Sequence, residues 1–423
     1  MQRASSSVAL SRKNWRSHAS TGLALNVGVA IAGVLVARLL GSLSQVALAR
    51  LMSLTDFGTY TTLYTLLGPV VMITSLGLDT WLLRQSGHVD DFDSVISQVF
   101  ALRLLATGGL MVVAICVLFA SGKTSLELPI ILAALGLTCE LLLTTAHTVL
   151  RAQHRSAAAA MLQVIVPGLA IGLIWVLWNA YAPLLTATGY RLLSDVVGVG
   201  LLVWLLRRSF HGLRWRPRQL LRMIKQARAY FAADLLSSVA LKADLTMVAL
   251  IVGAVGAGIY SPALLIINTT FLVPAVAWQV LLPVIARLQP TARGFRWTVG
   301  LAVLGSLAYG LFWAVALRWA STWIIDLVFS AEYLAAVPLL QIMCLIPLLK
   351  SLNFCSAMVM VARDDQVLRT KLLAIGSVVN VAANALFIPL FGLAGAAWVN
   401  LVTEIILLVA YSGGAWYSLH RAS

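Results

Sequence analysis

Thr298-Val-Gly-Leu-Ala-Val-Leu-Gly-Ser-Leu-Ala-Tyr-Gly-Leu-Phe-Trp-Ala-Val-Ala-Leu317 runs twenty residues without a charge, between Arg296 and Arg318. As a helix rising about 1.5 Å per residue it reaches about 30 Å, the thickness of a bilayer's hydrocarbon core. Runs like this recur along all 423 residues, and the pattern predicts spans at 24–48, 60–82, 99–119, 128–149, 158–180, 184–206, 231–252, 261–285, 298–317, 336–361, 372–390 and 394–416. The segment 318–335, with Trp319, Trp323, Asp326, Glu332 and Tyr333, reads as interfacial. The runs do not alternate apolar and polar residues, as the strands of a membrane barrel would. Hydrophobic residues make up 61% of the chain and charged residues 11%, too little polarity to surface a soluble domain. The fold class is an all-α polytopic membrane protein of about twelve transmembrane helices.

A net charge of +15 invites a nucleic-acid reading until the charges are placed. Most of the 30 basic residues fall into alternate loops: the first sixteen residues, Arg84 and Arg103, Arg151 and Arg155, 207–228, Arg287–Arg296, Arg363–Lys371 and Arg421. Arg50, Lys123 and Arg318 occupy the loops of the other side. This asymmetry is the positive-inside rule, and it puts both termini in the cytoplasm of a multi-pass protein of the bacterial inner membrane. Residues 1–20 read as a mobile cytoplasmic tail, and the apolar run after it is too long for a signal peptide. The four cysteines lie within apolar runs, so no disulfide is expected.

The basic linker 207–228 divides the chain into two six-helix lobes, 21–206 and 229–423. Within it, Arg218-Gln-Leu-Leu-Arg-Met-Ile-Lys-Gln-Ala-Arg228 suits either a helix in the headgroup region or a solvated connection. The lobes echo each other: Gly58-Thr-Tyr60 follows the first span and Gly258-Ile-Tyr260 the seventh. Six spans preserve orientation, so the halves are parallel repeats about a pseudo-twofold axis along the membrane normal.

Arg38, Glu140, Asp195, Lys242, Asp244, Lys350 and Glu404 lie near the middle of their spans. A charge there costs about 2.5–3.5 kcal/mol on insertion scales and is too deep to snorkel out, so each faces a partner or a wet cavity. Arg191 and Asp195 are spaced to neutralise each other at i,i+4. Lys242 and Asp244, about 200° apart round a helix, point to different surroundings. Polar stripes accompany the charges: Arg38, Ser42 and Gln45; Lys350 and Asn353; Ser377, Asn380 and Asn384; Asn400 and Glu404. Together they outline a hydrated, cationic vestibule, although such residues also glue helices together. No Gly-rich phosphate loop, H-E-x-x-H or G-x-S-x-G motif is present, and no external loop is long enough for a catalytic domain.

Several segments carry a resemblance: Arg38-Leu-Leu-Gly-Ser-Leu-Ser-Gln-Val-Ala-Leu-Ala-Arg50-Leu-Met-Ser-Leu-Thr-Asp56-Phe-Gly58-Thr-Tyr60, Leu76-Gly-Leu-Asp79, Phe329-Ser-Ala-Glu-Tyr333, and Asn384-Ala-Leu-Phe-Ile-Pro389-Leu-Phe-Gly392. The chain resembles the lipid-linked oligosaccharide (O-antigen and exopolysaccharide, Wzx-type) flippases of the multidrug/oligosaccharidyl-lipid/polysaccharide exporter superfamily. It departs from their commonest pattern at Ser53-Leu-Thr55, where a Gly-Pro turn is usual. The resemblance implies alternating access and a polyprenyl-pyrophosphate glycolipid as substrate, moved from the cytoplasmic to the outer leaflet for cell-surface polysaccharide synthesis. Membrane lipids and polysaccharide assembly proteins are the other expected partners, with no nucleic acid, cofactor, metal or catalytic residue. Arg38, Gln45, Lys242, Lys350 and Asn384 are the candidate substrate-binding residues, and Asp244, Glu404 and Glu140 the candidate coupling carboxylates. The alternatives are a multidrug or small-metabolite exporter of the same superfamily, and a membrane glycosyltransferase or polymerase.

Reporter fusions test the topology. Fusions after Arg155, within 210–225, after Arg369 and at the C-terminus are expected to report cytoplasm, and those near Lys123 and Glu332 the opposite side. An external C-terminus would mean an odd number of spans and would remove the two-lobe reading.

Overall fold

The computed structural model of the protein describes residues 28, 31–85, 92–121, 127–153, 155–178, 182–207 and 217–421. The tail 1–20 and the linker segment 208–216 lie outside them. The first lobe holds α1 (Ile31–Leu51), α2 (Leu54–Ile73), α3 (Leu78–Gln85), α4 (Phe92–Ser121), α5 (Glu127–Ala152), α6 (Ser156–Leu177) and α7 (Pro183–Leu206). In the second come α8 (Pro217–Ile251), α9 (Ala254–Thr270), α10 (Leu272–Arg287), α11 (Arg293–Trp319), α12 (Ser321–Val328), α13 (Val337–Ile342) and α14 (Ile346–Ala362). The last helix, Gln366–Arg421, is broken by Gly392, whose φ of 61° and ψ of −139° are not helical, giving α15 (366–391) and α16 (393–421). Asn380 bonds Thr403, and Gly376 packs on Leu407, so the two arms run antiparallel as a hairpin. Only glycine adopts that left-handed, extended corner without strain.

Among the described residues eight stretches are long and apolar enough to cross a membrane by themselves, and one of them is this hairpin of two. The broken pair α2–α3, together with α4 and α8, completes twelve crossings. Among the described residues three spans read as continuous are interrupted: the second at Thr74–Gly77, the eighth at Phe271 and the tenth by a 3₁₀ turn at Met343–Leu345. Ser53 caps α2: its hydroxyl accepts the Asp56 N–H at 3.2 Å and donates to the Asp56 carboxylate at 2.8 Å. The segment 318–335 forms the short amphipathic α12 and a 3₁₀ turn (Ala331–Ala336), with Trp319 and Trp323 exposed and Ile325, Phe329 and Tyr333 buried. Exposed Trp175, Trp319 and Trp323 ring one end of the bundle and Trp204, Trp297 and Trp416 the other, as aromatic belts do at two membrane interfaces.

Residues from Pro217 onward are not a separate linker. They are the first turns of α8, where Leu220, Met223 and Ala227 are buried in the first lobe's core beside Leu78, Trp81 and Leu82 of α3. Arg222, Lys225 and Arg228 on the other faces are exposed.

Apart from α8, the two lobes meet at one end. One buried cluster joins Leu48, Met52, Phe57, Tyr60 and Tyr190 of the first lobe to Val248, Tyr260, Ile325, Phe329, Tyr333 and Leu401 of the second. Arg50 donates to the carbonyls of Leu327 and Val328, and the Tyr333 hydroxyl donates to the Ala49 carbonyl at 2.9 Å. At the opposite end the clusters of the two lobes are separate, apart from the α8 extension. The bundle is closed at the end carrying Arg50, Gly253 and Gly392, and open at the end carrying Arg151, Arg287 and Arg363.

The sequence echo becomes the closest contact between the lobes. A Cβ built on Gly58 would overlap the Ala254 carbonyl, and one on Gly258 would lie 2.8 Å from the Leu54 carbonyl oxygen. Residues 54 and 58 thus meet 258 and 254 reciprocally, as two related surfaces do across a twofold axis. In hydrocarbon, apolar side chains gain little by leaving lipid, so backbone approach through small residues does the joining. Gly58→Ala or Gly258→Ala is expected to destabilise the protein by about 1–3 kcal/mol, read as a lower thermal midpoint in detergent. The double variant should cost less than the sum, because the first methyl already opens the contact. Gly300→Ala, which meets no atom, should be silent.

Candidate functional site

The first lobe encloses a cavity of about 550 Å³, lined by Arg38 and Gln45 of α1, Glu140, His147 and Arg151 of α5, Gln163 of α6, and Arg191 and Asp195 of α7. The i, i+4, i+7 stripe of α1 turns Arg38, Ser42 and Gln45 toward the other lobe as well. There they border a second space of about 280 Å³ with Leu265, Asn268, Thr269 and Leu272. Arg38 and Gln45, both exposed, therefore stand at the seam between the lobes and face both spaces.

Above Arg38, Tyr60 and Tyr190 close the cavity, their hydroxyls 3.5 Å apart. Arg191 crosses from α7 to α5 and meets Glu140 at 2.6 Å; its guanidinium lies 4.3 Å from the centre of the Tyr64 ring. The sequence spacing pointed to Asp195 as the neutralising partner, and the structure corrects this. An i+4 neighbour is held off at helix pitch, whereas α5 brings Glu140 into direct contact. Lys242 faces the same centre from the other lobe. Its ammonium lies 3.3 Å from where a Gly68 Cβ would be.

Asp244 looks away from that centre, as a 200° separation from Lys242 requires. Its Oδ1 accepts from Asn384 Nδ2 at 2.8 Å; Asn384 also donates to Asn380 at 3.0 Å, and Asn380 to Thr403 at 3.1 Å. Beside this chain, Lys350 pairs with Glu404 at 3.2 Å and lies 4.4 Å from the centre of the Phe271 ring. Asn353 Nδ2 donates to Glu404 Oε2 at 2.8 Å. Asn353, Asn380, Asn384 and Glu404 are all buried. The candidate residues thus divide. Arg38, Gln45, Lys242 and Glu140 gather at the centre, while Lys350, Asn384, Asp244 and Glu404 form a polar network inside the second lobe. No group of three His, Cys, Asp or Glu converges to hold a metal among the described residues.

Arg103, expected in a cytoplasmic loop, is instead fully buried in the first lobe. Its guanidinium bonds Asp79 at 2.8 Å, the Leu141 carbonyl at 3.0 Å, the Ser75 carbonyl at 3.4 Å and the Thr145 hydroxyl. Ser75 lies in the break between α2 and α3; its carbonyl accepts the Leu78 N–H at 3.0 Å, and Arg103 adds a second, longer bond to it. The Leu76-Gly77-Leu78-Asp79 motif that follows the break was the available signal; nothing in it points to a partner on α4. Tyr60, Tyr64, His147 and Arg151 were also missed, because only the packing of α1, α2, α5 and α7 brings them to one space.

Residues 23–289 match the family described as Polysaccharide biosynthesis protein. No curated protein matches the chain. Among solved structures, the lipid II flippase MurJ in an inward closed conformation is similar with a TM-score of 0.73 at 14% identity, covering 92% of this chain and 88% of its own. A multidrug resistance MATE-family transporter in an inward-facing conformation gives 0.69 at 17% identity, with 91% and 94% covered. A MOP-superfamily transporter from Pyrococcus furiosus gives 0.65 at 14% identity, with 94% and 95% covered. At these identities the likeness is one of fold.

Removing one partner of the buried Arg103–Asp79 pair should reveal its structural role. Arg103→Leu is expected to cost about 3–5 kcal/mol, by leaving Asp79 uncompensated, and to lower the yield of folded protein. Arg103→Leu with Asp79→Leu should recover a measurable part of the thermal midpoint, which a solvated loop arginine would not do.

Proposed function

The chain belongs to the polysaccharide biosynthesis protein family, and on that premise we propose that it is a flippase, not an enzyme. It moves a polyprenyl-pyrophosphate-linked oligosaccharide from the cytoplasmic to the outer leaflet of a bacterial inner membrane by alternating access. The observation that carries the reading is the position of Arg38. It is an exposed cation at mid-membrane depth, open both to the cavity of the first lobe and to the seam with α9 and α10. A pyrophosphate cannot enter hydrocarbon uncompensated. Arg38, with Gln45 on the same face and Lys242 across the seam, replaces its lost hydration with charge-assisted hydrogen bonds. The polyprenyl tail stays in the bilayer beside the seam, and the glycan fills the cavity toward Arg151.

The positive-inside rule turns the open end to the cytoplasm, where the substrate is loaded, with both termini on that side. The arginines of the cavity disfavour a cationic drug as cargo. In this reading Lys350 and Asn384 act from behind the site: Lys350 is held by Glu404, and Asn384 holds Asp244. Asp244, Glu404 and Glu140 remain the carboxylates that could link transport to an ion gradient or to the potential, worth about 2.3 kcal/mol per charge per 100 mV.

Arg38→Gln is expected to leave insertion intact and to lower glycan export by about 10–100-fold, the loss of one charge-assisted contact of about 1.5–3 kcal/mol. Lipid-linked glycan should build up on the cytoplasmic leaflet, measured by labelling of intact and permeabilised cells. Arg38→Lys should recover only part of the export, since it lacks the planar donor fork. Normal export by correctly inserted Arg38→Gln and Lys242→Gln proteins would rule the cationic site out.

A further inference from the structure

Arg191 stands between two carboxylates and binds one of them. Glu140 is its partner at 2.6 Å, while Asp195, one turn further along α7, is 94% buried, with an Oδ2 that meets no hydrogen-bond partner. Among the described residues no cation is paired with Asp195. α5 brings Cys139 and Glu140, together with Gly136, whose Cβ position is 3.8 Å from Oδ2; α2 brings Tyr64; α6 brings the uncharged Gln163 to the same cavity wall. Arg38 of α1 lines the cavity but stands at the seam, and Arg191 acts on Asp195 only from its place beside Glu140.

An anionic carboxylate so placed would be desolvated and unpaired, whereas the neutral acid fits. The carboxyl nevertheless lines the 550 Å³ cavity, whose wall continues past His147 to Arg151 at the open end. A proton therefore has a route between Asp195 and that mouth.

We propose that Asp195 is a proton-binding site of the first lobe, and that it governs which carboxylate Arg191 holds. In the arrangement seen here, open at the Arg151 end, Asp195 carries the proton and Arg191 is paired with Glu140. When the Asp195 O–H bond breaks and the proton passes to water in the cavity, the new anion lies at i,i+4 from Arg191 and competes for it. Glu140, released, turns to Lys242 of α8, which faces the same centre from the other lobe beside Gly68. A pair within one lobe is thereby exchanged for a pair between lobes, so one proton biases the arrangement of the two bodies. This rests on the transport reading given above and adds to it the group through which a proton acts.

The test needs no substrate. Distance labels are introduced by click chemistry at Ala157 and Lys371, exposed positions at the open ends of the two lobes, leaving Cys139 untouched. Inter-lobe distances are then measured in lipid nanodiscs from acidic to alkaline buffer. The wild-type distribution is expected to shift with pH, and Asp195→Asn to stay at the acidic-side distances throughout. Asp195→Glu, which keeps a carboxyl, should restore the shift. A wild-type distribution insensitive to pH overturns the proposal without any variant, and so does an Asn variant that shifts as the wild type does. Export of lipid-linked glycan is scored separately in vesicles. An intact, Asp195-dependent shift in a protein that exports no glycan would remove the flippase reading and leave the proton site standing.

Discussion

A charged side chain inside a bilayer finds no water and no dissolved counter-ion, so its partner has to come from another helix. In this chain those partners hold each lobe together. Arg103 ties α4 to α3 and α5 through Asp79, Leu141 and Thr145. Arg191 ties α7 to α5 through Glu140, and Lys350 ties α14 to α16 through Glu404. The break after α2 is closed by its own turn, where the Ser75 carbonyl accepts the Leu78 N–H, and Arg103 braces the same carbonyl from α4. Irregular backbone at such depth persists only when it is satisfied by protein or water.

Between the lobes the bonding is of another kind. The reciprocal contact of Gly58 and Gly258, the apolar cluster around Tyr60 and Tyr260, and a few bonds from Arg50 and Tyr333 all lie at the closed end. No salt bridge crosses from one lobe to the other among the described residues. Strong bonds within lobes and separable packing between them suit two bodies that rock against each other. The exception is α8, which belongs to the second lobe but buries Leu220, Met223 and Ala227 in the first. Any change of lobe angle has to bend that helix or release those side chains.

The midplane charges divide along the same line. Arg103, Lys350, Asp244 and Glu404 are bonded to partners within their own lobes, where a fixed pair costs nothing in mobility. Arg38, Arg191, Glu140 and Lys242 gather where the lobes face each other, and they are the less completely buried of the two groups. Among the described residues Arg38 and Lys242 at the seam have no ion-pair partner.

What the sequence determined by itself was everything that depends on length and period. Uncharged runs of about twenty residues placed the crossings, the distribution of Arg and Lys paired the loops, and the Gly58/Gly258 echo gave the repeat. Helix period put Arg38, Ser42 and Gln45 on one face and set Lys242 apart from Asp244. Partners were not legible, because a partner in a bundle comes from a different helix and depends on its rotation. Arg191 has Asp195 one turn away and pairs instead with Glu140, 51 residues distant in the chain. Arg103 read as a loop residue because basic character suggests water, and only the docking of α3, α4 and α5 supplies the acceptors that let it be buried. Tertiary structure thus decided which charges are structural and which are free to act, since burial and pairing belong to the bundle and not to any one helix.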